Sequence, residues 1–171
     1  MPSPALIYSP PLVVFRYLVL TAAGSQQLWD TAGEDRYRDL CYAFFKGADA
    51  AVFVYDVNDE KTFSALDAWK SEFYTWAGLK NAEGGAFVSG MEEPNFPVFV
   101  IGNKIDQDLD RVISTVKGSQ WAEGLPMASF YETSIKTDAC FECGTGGQEP
   151  SALATMFESV VQKVLESKGS N

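Results

Sequence analysis

A chain of 171 residues with a formal net charge of −10 and no histidine is long enough for one domain with a sizeable core. Its acidity excludes a broad phosphate-neutralising surface, so nucleic acid is not an expected partner. The lack of histidine excludes a His general base, Ser-His-Asp chemistry and His-ligated zinc. Three cysteines, an odd number, imply no disulfide framework. Cys140-Phe141-Glu142-Cys143 has metal-pair spacing, but only Cys41 remains to complete a zinc site, so zinc is not expected.

Residues 1–26 form an atypical N-terminal segment. Pro2, Pro4, Pro10 and Pro11 precede an apolar run, Leu12 to Leu20, interrupted by Arg16. The run is too short to cross a bilayer as a helix. Thr21-Ala22-Ala23-Gly24 offers the small residues of a secretory cleavage site, but no positive charge precedes the run. Its β-branched and aromatic residues favour a strand, and with a turn at 21–26 the segments 12–20 and 26–30 make a hairpin. Leu28-Trp29-Asp30-Thr31-Ala32-Gly33-Glu34-Asp35 then opens apolar, reaches an acid and breaks at a glycine. That pattern is a strand carrying a carboxylate to the carboxyl edge of a sheet, where open α/β sheets bind ligands. Such an Asp can hold a metal-bound water, and the Gly lets a backbone N–H approach a phosphate. The plainer alternative is a strand followed by a polar turn.

Residues 36–45 read as a mobile loop running into a short helix that ends near Gly47. Ala50 to Asp56 is a continuous apolar run, as in a strand buried on both faces. Asp59-Glu60 place acids at a helix start, and Phe63, Leu66, Trp69, Phe73 and Trp76 recur at core-packing spacings of three and four. Residues 77–97 form a long loop, either a surface insertion or partly disordered. Val98 to Gly102 is a second buried strand and delivers Asn103-Lys104-Ile105-Asp106. Asp110 to Trp121 reads as a helix with Val112, Val116 and Trp121 apolar and Gly118 a weak point. Ala128 to Tyr131 is a short strand delivering Glu132-Thr133-Ser134-Ile135-Lys136. A Gly-rich loop with Gly144, Gly146 and Gly147 follows. Pro150-Ser151 opens a last helix with Leu153, Met156, Phe157, Val160, Val161, Val164 and Leu165 on one face, and residues 169–171 are a disordered tail.

Strands alternating with helices argue for an α/β fold with a mostly parallel sheet. The clusters at 30–35, 103–106 and 132–136 would then share one edge and meet around one ligand. Asp106 can accept two hydrogen bonds from a planar N–H/NH2 edge, which guanine has and adenine lacks, and a buried polar site rejects a ligand that leaves it unpaired. The stems of Lys104 and Lys136 can pack on the faces of a flat base. Asn103 can tie the neighbouring loops together, and the backbone N–H groups of Ser134, Ile135 and Lys136 can meet the base's carbonyl oxygen.

Trp29-Asp30-Thr31-Ala32-Gly33, Asn103-Lys104-Ile105-Asp106 and Glu132-Thr133-Ser134-Ile135-Lys136, in this order, resemble the Rab family of small GTPases. Gly47-Ala48-Asp49, Tyr55-Asp56-Val57, Thr62-Phe63 and Asn95-Phe96-Pro97 resemble its late-endosomal subfamily. The likeness covers residues 28 to about 166, and the stretch at 80–93 is longer than expected for that subfamily. The resemblance implies a three-layer α/β G domain of the P-loop-NTPase kind with a mostly parallel sheet, present over 27–168 and incomplete at the N-terminus. It implies a GTP/GDP switch with Mg2+ that governs vesicle traffic through effectors and regulators. The nucleotide would lie against Asp30, Gly33, Asn103, Lys104, Asp106, Ser134, Ile135 and Lys136, with Asp30 reaching Mg2+ through water. The resemblance implies an effector-binding patch that includes Trp29, Tyr37 and Phe44. The chain is expected to be cytoplasmic, as the resemblance implies action at endosomal membranes; a monomer is expected.

The chain departs from that family in several ways. No G-x-x-x-x-G-K-[ST] phosphate loop occurs, since Gly85 to Gly90 is followed by Met91-Glu92, and nothing matches the switch threonine of the Mg2+ shell. The strand before that loop is central in the family; Leu12 to Leu20 fills either its slot or the adjacent edge hairpin, and the hairpin is favoured. Glu34 stands where a glutamine orients the attacking water. A carboxylate cannot donate that hydrogen bond, so hydrolysis is expected to be slow. The chain ends Lys168-Gly169-Ser170-Asn171 without prenylation cysteines, so no lipid anchor of its own is expected. The expectation is weak guanine-nucleotide binding with Mg2+ weak or lost. The alternatives are a nucleotide-independent interaction module and a truncated product without a stable fold.

Overall fold

Six strands join into one sheet in the order β2-β1-β3-β4-β5-β6 in a computed structural model that describes residues 14–20, 25–31, 45, 48–79, 96–143 and 153–169. The strands are β1 Val14–Leu20, β2 Ser25–Thr31, β3 Ala50–Asp56, β4 Val98–Asn103, β5 Ala128–Ser134 and β6 Ala139–Cys143. The helices are α1 Glu60–Ser64, α2 Leu66–Trp76, α3 Thr115–Glu123 and α4 Leu153–Gly169, with a 3-10 turn at Ile105–Asp110. β3, β4 and β5 pair in parallel. β1 is antiparallel to both β2 and β3, and β6 to β5. Four strands therefore run one way, as the alternating pattern predicts, and β1 and β6 run against them.

The expected hairpin of 12–20 with 26–30 is present as β1 and β2, but the favoured edge position for the first strand is not. β1 lies inside the sheet, with Val14 to Tyr17 paired to β2 on one side and to Phe53–Ala50 of β3 on the other. An interior slot satisfies backbone groups on both sides of the strand, and the edge falls to β2. β6 was not foreseen: the segment carrying the Cys140 spacing is an edge strand against β5, and Cys140 is buried in the core.

Each central strand alternates its side chains between two layers of helix. Ala51, Phe53 and Tyr55 of β3, with Val98 and Val100 of β4, face Phe63, Leu66, Trp69 and Phe73 of α1 and α2. Ala50, Val52, Phe99, Ile101 and Tyr131 face Met156, Val160, Val161 and Val164 of α4. Phe73 anchors the first layer, meeting Phe45 and Phe53 edge-on with ring centroids 5.4 and 6.2 Å apart.

Several boundaries and faces differ from expectation. Trp76, at the last turn of α2, is half exposed and outside the core. The helix expected from Asp110 begins at Thr115, because the Ser114 hydroxyl accepts the Lys117 N–H at 3.2 Å and caps it there. Val112 and Val116 are exposed, as is Leu165 on α4. Gly169, expected in the tail, is the last residue of α4, and residues 170–171 lie outside the described residues. The loop-to-helix reading of 36–44, the long loop over 80–95, the Gly-rich loop at 144–147 and the side chain of Leu153 lie outside the described residues. Among those described, no helix is long and apolar enough to cross a membrane.

Gly118 is a close contact rather than a weak point. A Cβ there would lie 2.2 Å from Tyr55 Oη and 2.6 Å from Phe130 Cζ. Gly118→Ala is therefore expected to destabilise the fold by about 1–3 kcal/mol through overpacking, although alanine is the better helix former by about 1 kcal/mol. A urea titration that showed the variant equal to or more stable than the parent would refute this packing.

Candidate functional site

The carboxyl ends of β3, β4 and β5 lie side by side because their registers set Asp56 opposite Asn103 and Asn103 opposite Thr133. β4 ends in a kink. Lys104 takes φ 71° and ψ 34°, the left-handed region that residues with a Cβ seldom adopt. Its carbonyl accepts from Asn58 Nδ2 at 3.2 Å and from the Gln107 N–H at 3.1 Å, and its ammonium pairs with the Asp56 carboxylate. The kink turns the chain into the 3-10 turn and carries Asp106 back towards β5.

Asp106 and Ser134 meet there. Ser134 Oγ donates to Asp106 Oδ1 at 2.7 Å, and Lys136 Nζ lies 3.6 Å from Oδ2. Only 11% of the Asp106 side chain is exposed although its backbone is open to solvent. The Ser134 hydroxyl bond holds the Asp106 carboxyl below the usual carboxylate range; slight burial opposes this, and its own backbone and the Lys136 ammonium reinforce it. An ionised carboxylate is an acceptor with lone pairs to spare. Asn103 does the tying expected of it: Oδ1 accepts from Thr133 Oγ1 at 3.1 Å and from the Ile135 N–H at 3.4 Å. That N–H, expected to meet a ligand carbonyl, is thus engaged by a long bond inside the protein. Ile135 and Lys136 project into solvent, 69% and 78% exposed.

A second set of bonds fixes these loops from behind. Glu132 is buried in β5. It takes Arg111 Nη1 on Oε1 at 2.7 Å and Thr115 Oγ1 on Oε2 at 3.0 Å. Arg111 also donates to Asp108 Oδ1 at 2.8 Å and to the Ile113 carbonyl at 3.2 Å. The guanidinium so joins the turn that carries Asp106 to the strand that carries Ser134. Burial weighs against its charge, but the bonds to Glu132 and Asp108 outweigh it and raise its pKa. Arg111, Asp56 and Asn58 were missed from sequence; a polar residue shows its distant partner only once the strands are paired.

β2 runs in the same direction as β3, β4 and β5, so Asp30, at its carboxyl end opposite Phe15, lies at this same edge. Three strand spacings, roughly 14 Å, separate β2 from β4. The side chains of Asp30 and Trp29, and the whole of Gly33, Glu34, Tyr37 and Phe44, lie outside the described residues. Among the described residues no group of three or more His, Cys, Asp or Glu side chains converges as a metal site. A groove of about 350 Å3 lined by Pro97, Phe99, Met127, Ala128, Ser129, Lys163 and Glu166 shares no residue with this cluster.

The sequence profile of the Ras family matches residues 19–143. The Ras-related protein Rab-7a of Dictyostelium discoideum is 40% identical over 112 residues, which cover 66% of this chain and 50% of that protein. The Ypt/Rab-type GTPase Rab7 of Gibberella zeae is 42% identical over 113 residues, covering 66% and 50%. The Ras-related protein RABG3d of Arabidopsis thaliana is 41% identical over 125 residues, covering 70% and 55%. The chain thus spans about half the length of the curated relatives it matches.

Two outcomes follow from the geometry. Glu132→Ala leaves the Arg111 charge without its main partner and is expected to lower stability by about 3 kcal/mol, with part recovered when Arg111→Met is added; chemical denaturation of the single and double variants measures both. Asp106 has a depressed folded-state pKa, so its stabilising contribution is complete above the unfolded value of roughly 4 and is lost as pH falls through the folded value. The Tm gap between the parent and Asp106→Asn should therefore be constant near neutrality and shrink in acid; a gap independent of pH contradicts the assignment.

Proposed function

Given that the chain belongs to the Ras family, on the side of its Rab7-type members, we propose that it is a Rab-like guanine-nucleotide-binding protein whose base-recognition end is built from Asn103, Lys104, Asp106, Ser134, Ile135 and Lys136. The observation that carries this reading is the Asp106 carboxylate, held ionised by Ser134 across the strand ends. Guanine offers it N1–H and the 2-amino group; adenine offers an acceptor at N1 and no amino group at C2. A site built on that pairing rejects the base lacking it by a large factor. Lys104 and Lys136 supply aliphatic stems beside the ring, and Asn103 holds the two loops at a fixed separation.

The phosphate end is the weaker half. Within these 171 residues no phosphate-loop pattern occurs, so its N–H groups, Lys and Mg2+-binding hydroxyl have no counterpart here, and nucleotide and Mg2+ binding by this chain are weak. Asp30, through water, and Gly33 are what the chain offers to a metal and a phosphate, and Glu34 in place of glutamine slows hydrolysis. In the cell the protein acts from the cytoplasm in vesicle traffic at endosomal membranes, through effectors and regulators that meet Trp29, Tyr37 and Phe44. A second reading, a module that needs no nucleotide, is favoured by one observation: the Lys104 and Lys136 ammonium groups and the Ile135 N–H are already paired within the protein.

Titration of the full chain with fluorescent GDP, ADP and xanthosine diphosphate separates the two. The base reading expects GDP bound with a Kd on the order of micromolar or weaker, ADP bound far less, and a shift towards xanthosine diphosphate in Asp106→Asn, whose amide N–H matches the 2-oxo group. Equal affinity for GDP and ADP would sink it, and cooperative unfolding with no nucleotide bound would leave the interaction module. A nanomolar Kd for GDP would refute the weakness assigned to the phosphate end.

A further inference from the structure

Asp56 has no part in the base contacts above, yet one carboxylate there governs both ends of Lys104. We propose that Asp56 is the positioning residue of the base site, acting through Lys104; this rests on the guanine-binding reading. Asp56 closes β3 directly opposite Asn103. One carboxylate oxygen, Oδ2, pairs with the Lys104 ammonium, while Oδ1 accepts the Asn58 N–H at 2.9 Å. Asn58, fixed by that bond, donates its Nδ2 to the Lys104 carbonyl at 3.2 Å. The far end of the side chain and the backbone of the kinked residue are thus both referred to one anchor.

That anchor is well held. The Asp56 N–H donates to Thr62 Oγ1 at 3.0 Å, and Thr62 Oγ1 donates in turn to the Asp59 carbonyl at 2.8 Å. The Asp56 side chain is 12% exposed against 39% for Lys104. A carboxylate so far out of water needs its cation, and a lysine at φ 71° needs outside bonds to keep that backbone. Each supplies what the other lacks. The stem of Lys104 is stretched from the end of β4 towards β3, a fixed line for a flat ring to lie on, and the kink it keeps is the one that brings Asp106 within 2.7 Å of Ser134. Asp56 therefore sets affinity by holding the platform, while Asp106 sets which base is chosen.

The test measures fluorescent-GDP affinity and the GDP:ADP ratio for the full chain and for Asp56→Asn, Lys104→Gln and the double variant. Asp56→Asn keeps an acceptor for the Asn58 N–H and loses the charge. It is expected to weaken GDP about tenfold, to leave the GDP:ADP ratio unchanged, and to have no further effect once Lys104 is glutamine, since neighbouring groups couple in this way. If Asp56→Asn fails to fold, Asp56→Glu, which keeps the charge but displaces it, should melt cooperatively and bind GDP less well than the parent. A parent that prefers GDP together with Asp56 variants within twofold of it overturns the positioning role alone. An equal loss in the presence and absence of Lys104 also overturns it, because the effect would then be general to the fold. A parent with no preference for GDP overturns the base reading and this role with it.

Discussion

The parallel pairing of β3, β4 and β5 is the constraint on which the candidate site depends. Their register sets Asp56, Asn103 and Thr133 in one row at the sheet's carboxyl edge, and everything beyond that row is a short turn hung from it. A slip of one residue would send every side chain of a strand to the opposite face. The core forbids the slip, because Val98, Phe99, Val100 and Ile101 are buried on alternating sides against different helices. The precision of the polar edge is thus inherited from apolar packing several residues away.

On that edge an acidic chain places its cations one by one against carboxylates: Lys104 on Asp56, Lys136 on Asp106, Arg111 on Glu132. The three pairs are not equal. Lys136 is mostly in water, and such a pair adds little to stability; it only reinforces the Ser134 bond in favouring the ionised Asp106. Arg111 and Glu132 are largely buried, and the guanidinium meets both carboxylate oxygens, at 2.7 and 3.5 Å, with Thr115 taking a further lone pair. That is the arrangement in which an ion pair holds two segments at a set distance.

The same sheet shows why β1 matters. By lying antiparallel between β2 and β3 it joins the hairpin to the parallel core and leaves β2, not itself, at the edge. Over Val14 to Tyr17 its backbone groups find partners on both sides, which an edge strand would have to leave to solvent.

From residues alone, the strands at 50–56 and 98–102 were legible because runs buried on both faces are apolar throughout, and α2 and α4 because their apolar positions recur at helical spacing. The Asn103, Asp106 and Ser134 cluster was legible as well, since polar residues that follow such strands must emerge at one edge. Direction and slot were not: the run Leu12 to Leu20 is equally apolar in either orientation, and only the pairing of Val14 to Tyr17 with β3 chose the interior. β6 was hidden because Cys140 and Phe141 sit among acids and glycines that suggest a loop. Gly118 reads from sequence as a helix defect, whereas Tyr55 and Phe130 fill the space of its missing Cβ. Local composition decides what kind of element forms, because period and burial are written residue by residue. The partners of Asp56, Arg111 and Glu132 are decided by tertiary structure, because hydrogen bonds between groups far apart in the chain exist only once the strands have aligned.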